Sequence, residues 1–126
     1  MANTIVWVDI PVTDMDRARK FYSAVLQADI ELMEGANGDV ALLPGDPMSG
    51  DVSGDLARGE NQKPGLGGCT IYLDSKGDPE GMIERAVAAG GAVLMPVTSM
   101  GDMVGFIGFF EDSEGNRIGV HQPALG

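Results

Sequence analysis

The chemistry open to this chain is narrow. Its 126 residues hold one histidine, His121, one cysteine, Cys69, and one tryptophan, Trp7, among 19 aspartates and glutamates. An imidazole set against a carboxylate makes an acid–base pair, but a lone histidine more often ends a strand hydrogen-bonded to backbone. Cys69 follows Gly68 at the start of an apolar run and reads as a small packed residue rather than a nucleophile. Trp7 is either core packing or a stacking platform for a planar or cationic ligand. There is no phosphate-binding loop, dinucleotide fingerprint, paired cysteine motif or G-x-S-x-G elbow. The aspartates of GDPMSGDVSGD lack the spacing of a calcium loop, and DSEG at 112–115 is turn chemistry.

These residues are carried by elements that occur twice. TIVWVDIPV (Thr4–Val12) is β-branched and aromatic and predicts a strand. Thr13 with Asp16 makes a variant capping box, with Asp14 as the competing cap, before a helix whose Ala18, Phe21, Tyr22 and Val25 share one face. Strands are expected at Ala28–Met33, Asp39–Pro44 and Asp51–Arg58, with a polar joint at 59–67. The order then repeats. Cys69–Asp74 is a strand, Pro79 opens a helix with an apolar face of Met82, Ile83, Ala86 and Val87, and Gly90–Gly91 stop it. Strands follow at Ala92–Met100, Gly105–Glu111 and Arg117–Gln122, the last pair joined by DSEGN. The prediction is an α+β chain of two tandem βαβββ modules, about 1–60 and 66–124, forming one domain over 1–126.

Composition bounds the partners. A net charge of −11 opposes phosphate backbones and so nucleic acid, while favouring cationic small molecules. No apolar run approaches the ~20 residues of a membrane span, and the N-terminus lacks a signal-peptide pattern. A single cysteine excludes an intrachain disulfide and points to the cytoplasm. Nineteen glycines, about twice the usual ~7%, are dispersed between apolar runs and mark tight turns.

DIPVTDMDRARKFYSAVL, the helix exit AAGGAVLMPV and the ending FFEDSEGNRIGVHQP together resemble the vicinal oxygen chelate superfamily, the group of glyoxalases, bleomycin-resistance proteins and extradiol dioxygenases. The resemblance spans nearly the whole chain and implies two cupped half-barrel sheets around a cleft, commonly completed in a homodimer. It also implies metal ligands on the first and last strand of each module. Registered on the helix and the DSEGN turn, those positions fall at Trp7, Gly54, Gly68 and Gly119, none of which binds a metal through its side chain. A slip of two residues keeps the face and brings in Asp9, Leu56, Thr70 (with Tyr72 beyond) and His121. Met103 and Phe106 would line an apolar rim, and one of Phe109 and Phe110 must face the core.

Two readings follow. The first is a protein that binds a small organic ligand in an apolar, aromatic cleft through Trp7, Leu56, Thr70, Tyr72, Met103 and Phe106, with no cofactor and the usual metal disfavoured. The second is a lyase, isomerase or dioxygenase-type enzyme using a displaced divalent-metal site or Asp9 and His121 as acid and base.

Overall fold

The computed structural model describes residues 3–124. Strand β1 (Trp7–Pro11) leads into helix α1 (Met15–Leu26), followed by β2 (Glu31–Leu32), β3 (Val40–Leu42) and β4 (Ser53–Ala57). The second module repeats this with β5 (Ile71–Asp74), α2 (Pro79–Ala88), β6 (Ala92–Ser99), β7 (Phe106–Glu111) and β8 (Arg117–Gln122). Two open four-stranded sheets result, in the orders β1-β4-β3-β2 and β5-β8-β7-β6. In each, the first and last strands of the module run parallel and the other neighbours antiparallel. The α+β architecture of two βαβββ modules is the one the repeat predicts.

Local chemistry sets the boundaries. Asp14, not Thr13, caps α1, accepting the Arg17 N–H at 3.0 Å. Asp78 caps α2 in the same way through Gly81 N–H, with Pro79 in the first turn. Met15, Ala18, Phe21, Tyr22 and Val25 bury one face of α1, and Met82, Ile83 and Ala86 one face of α2. Val87, expected on that second face, is exposed, because the next position turns about 100° away from Ala86. Strand β1 starts at Trp7 rather than Thr4, since Ser53, its partner, is where β4 begins. The strand expected over 28–33 shrinks to two residues at the sheet edge, Ala28 being used by the helix exit through its N–H to Ser23 O.

The helices cover one face of both sheets. Ile10, Leu56 and Ala41 of the first sheet, Ile118, Val120 and Phe110 of the second, and the buried helix faces form a continuous core. Phe21 of α1 packs on Phe110 of β7 with ring centroids 5.9 Å apart. Polar ties fix the modules further. Tyr22 Oη donates to Asp112 Oδ2 at 2.5 Å, and Asn116 Nδ2 donates to Pro11 O at 2.8 Å. Glu114, from the β7–β8 turn, accepts the backbone N–H groups of Thr13 and Asp14 and the Arg17 guanidinium. That carboxylate therefore ties the residues that lead into α1 to the β7–β8 turn and places a negative charge near the helix N-terminus.

Candidate functional site

Since the helices take one face of each sheet, chemistry is left to the other, and strand alternation decides which side chains stand there. On the first sheet, Asp9 pairs in register with Asp55, and Trp7 with Ser53. This places Trp7, Asp9 and Asp55 on the open face and Ile10 and Leu56 on the core face. Leu56 is fully buried against the helices, so it cannot line a cleft. Gly54 is likewise on the core side, where an added Cβ would run into the Val8 carbonyl oxygen. The residue between them, Asp55, occupies the open face. The register assigned to the fourth strand from sequence was thus one residue off, and one residue reverses the face.

Asp55 is the most perturbed group there. It is only 8% exposed, and its Oδ2 accepts the Trp7 Nε1–H at 3.1 Å. Its Oδ1 is buried and finds no donor among the described residues. Burial, then the hydrogen bond and charge of the neighbouring Asp9, push the Asp55 carboxyl up to about 6, against the lowering effect of the Trp7 bond. Protonation at the orphaned oxygen would turn it from an unsatisfied acceptor into a donor toward Asp9.

The open face of the second sheet is aromatic. Tyr72 pairs with Gly119, and Phe109 also pairs with Gly119 from the other side. The Tyr72 and Phe109 rings lie 5.8 Å apart, and the Arg117 guanidinium carbon sits 4.0 Å above the Phe109 ring centre. Arg117 Nη1 also donates to Thr70 Oγ1 at 3.0 Å. Thr70 and Tyr72 therefore belong to one patch. Phe106 does not join it: it alternates with Gly108 and the buried Phe110, which puts it on the helix side at the sheet end, 40% exposed. Phe109 takes the open place instead. Met103 is fully exposed in the β6–β7 loop.

Asp9 and His121 are not brought to one cavity. A cavity of about 220 Å³ at the seam of the two sheets is lined by Asp9, Pro11, Lys63, Cys69, Asn116 and Arg117, among others. His121 lies four residues beyond Arg117 along β8, roughly 13 Å at 3.3 Å per residue. Its Nε2 is 2.7 Å from Val104 O. A carbonyl only accepts, so that nitrogen carries the proton.

The metal expected of metal-dependent relatives does not fit. Among the described residues no three His, Cys, Asp or Glu side chains converge. Gly68, one of the four strand positions, lies in the loop before β5 at φ +85°. Asp9 and Asp55 offer two carboxylates, one already held by an indole, where a catalytic ion normally takes three protein ligands. Asp55 and Arg117 are the site residues that sequence reading missed. The apolar Leu56 beside Asp55 was the available signal, since a core residue on a half-buried strand turns its neighbours outward.

The sequence model of the Glyoxalase/Bleomycin resistance protein/Dioxygenase superfamily matches residues 4–120. The chain is 28% identical to CFP32 of Mycobacterium tuberculosis over 120 residues, covering 92% of this chain and 44% of that protein. It thus spans less than half the length of that curated relative. It is 32% identical to a glyoxylase-like domain-containing protein of Didymella fabae, over 90% of this chain and 88% of that one. Among solved structures it resembles TnmS3, an antibiotic-binding protein from Streptomyces sp. CB03234, with a TM-score of 0.63, 22% identity and 97% of each chain covered.

Proposed function

We propose that this chain, which belongs to the glyoxalase/bleomycin resistance protein/dioxygenase superfamily, holds a small organic ligand against the open faces of its sheets and performs no metal chemistry there. The observation that carries this reading is the pair Tyr72 and Gly119. Gly119 is the position at which the family resemblance puts a metal ligand of metal-dependent members, and the space beside it is filled by the Tyr72 ring. An aromatic surface of Tyr72, Phe109 and a stacked Arg117 suits a planar ligand. The antibiotic binding for which TnmS3 is named supports the same class of role. Tyr72 is 49% exposed, and the open faces of both sheets carry apolar side chains to solvent, which supports a homodimer whose second copy covers the cleft. The free thiol of Cys69 is in keeping with a reducing, cytoplasmic setting.

One observation favours an enzyme as the second reading. A carboxyl pushed up to about 6 beside another carboxylate is poised for proton transfer near neutrality. In that case the acid–base pair is Asp9 and Asp55 rather than Asp9 and His121. Native mass spectrometry of protein purified without chelator separates the readings. A dimer carrying a co-purified organic molecule and no metal is expected. A stoichiometric divalent ion would overturn the binding-protein reading.

A further inference from the structure

We propose that the seam cavity binds a small zwitterion, its ammonium group held at Asp9 and its carboxylate at Arg117. The proposal rests on the reading of the open faces as a small-molecule site and names the ligand class for it.

Asp9 and Arg117 line the same cavity of about 220 Å³ and carry opposite charges, yet they do not pair. Among the described residues the ion pairs within 4 Å are Arg17–Glu114 and Arg58–Asp39. Two opposite charges that share a cavity and stay apart leave a gap that a dipolar occupant closes. The cation end is rigid: Thr70 takes one Nη1 donor and the Phe109 ring supports the guanidinium plane. Most of the five guanidinium N–H donors remain free for a carboxylate. Lys63 on the cavity wall adds a second positive charge.

The anion end is Asp9; the buried Asp55, in register with it but outside the cavity lining, has an Oδ1 that lacks any donor among the described residues. An ammonium group brings three N–H donors to the Asp9 carboxylate, beside an Asp55 whose one side-chain donor among the described residues is the Trp7 indole N–H. Neither charge alone suits the site. An anion would leave the Asp9 carboxylate unpaired, and a simple cation would leave Arg117 unpaired. At ~30 Å³ per water, the cavity has room for an aminocarboxylate head group. A ring attached to that head group would leave the cavity past Arg117, toward the half-exposed Tyr72 that packs against Phe109 outside the lining.

Isothermal titration calorimetry with four probes of one shape tests this: phenylalanine, phenethylammonium, 3-phenylpropionate and 2-phenylethanol. Phenylalanine is expected to bind at least tenfold more tightly than each of the others. Arg117→Gln should lower its affinity to that of phenethylammonium, and Asp9→Asn to that of 3-phenylpropionate, with melting temperatures checked to confirm that both variants fold. If 2-phenylethanol binds as well as phenylalanine, the charged pair is overturned while the aromatic cleft stands. Equal binding of phenethylammonium, unchanged affinity in either folded variant, or no binding by any probe also overturns the zwitterion site. A co-purified ligand seen by native mass spectrometry would still uphold the cleft in that last case.

Discussion

Gly119 of β8 and Tyr72 of β5 occupy one place on the open face of the second sheet: a Cβ added to Gly119 would lie 2.5 Å from Tyr72 Cδ1 and 3.1 Å from its Cγ. The contact reaches the root of the ring, so rotation about the outer bond does not relieve it. Gly119→Ala should therefore displace Tyr72 and cost about 1–3 kcal/mol by overpacking. Tyr72→Ala combined with Gly119→Ala should recover most of that loss. A double-mutant cycle from urea unfolding gives the coupling. Additive effects would mean that the ring and the glycine are independent.

Asp55 should make Trp7 a pH indicator. The sole tryptophan donates to Asp55 Oδ2, so protonation of that carboxyl changes the acceptor at the indole N–H. Trp7 fluorescence is expected to titrate with a midpoint near pH 6, and the transition should vanish in Asp55→Asn. A flat wild-type curve between pH 4 and 8 would contradict the assignment.

The same carboxyl gives a stability prediction of definite sign. Its folded pKa, about 6, lies above the ordinary 3.8, so the folded chain holds the proton more tightly than the unfolded chain. That contribution is present below about pH 3.8 and is lost as pH rises through 6. At pH 7.5 the buried charge costs stability. Asp55→Asn keeps an acceptor for Trp7 and removes the charge, so it should melt several degrees higher than wild type at pH 7.5. The difference should shrink toward pH 4.

Glu114 works in the opposite sense. Burial raises its carboxyl, but the Arg17 side chain, the backbone N–H groups of Asp14 and Thr13 and the Ser113 hydroxyl outweigh it and hold the group at about 2, below the ordinary 4.5. Its stabilisation is complete above about pH 4.5 and is lost as pH falls toward 2. Glu114→Ala leaves the two N–H groups without their acceptor and should cost roughly 2–3 kcal/mol at pH 7. The variant should also show a weaker acid dependence over that window. Thermal melts at pH 7, 4 and 2.5 measure both effects.

Chelation should leave the fold unaffected. A resident ion at a thousand times its dissociation constant would add about 4 kcal/mol, a shift of ten degrees or so in a domain of this size. Melting temperatures with and without EDTA are expected to agree. A drop on adding EDTA, restored by zinc or nickel, would show that ligands other than Asp9 and Asp55 gather around an ion.

The periodicities of the chain carried the architecture. Apolar positions at helical spacing, Asp14 and Asp78 as caps, and glycine-marked turns are local properties, set within a few residues, and they recur in the same order in both modules. The open-face assignments of Trp7, Asp9, Tyr72 and His121 followed from registering the chain on the family resemblance, with alternation carrying the face along each strand. Asp55 did not, because alternation fixes which residues share a face but not which face is turned to the helices. That choice was made by Leu56 packing into the core with Ile10, a contact between residues 46 positions apart. The separation of Asp9 from His121, and the meeting of Asp9 with Arg117 at one cavity, also belong to the tertiary structure. They depend on how the edge of one sheet is set against the other, and the ties that set it, Glu114 to Thr13 and Asn116 to Pro11, span about a hundred residues of chain. No local pattern encodes such a distance.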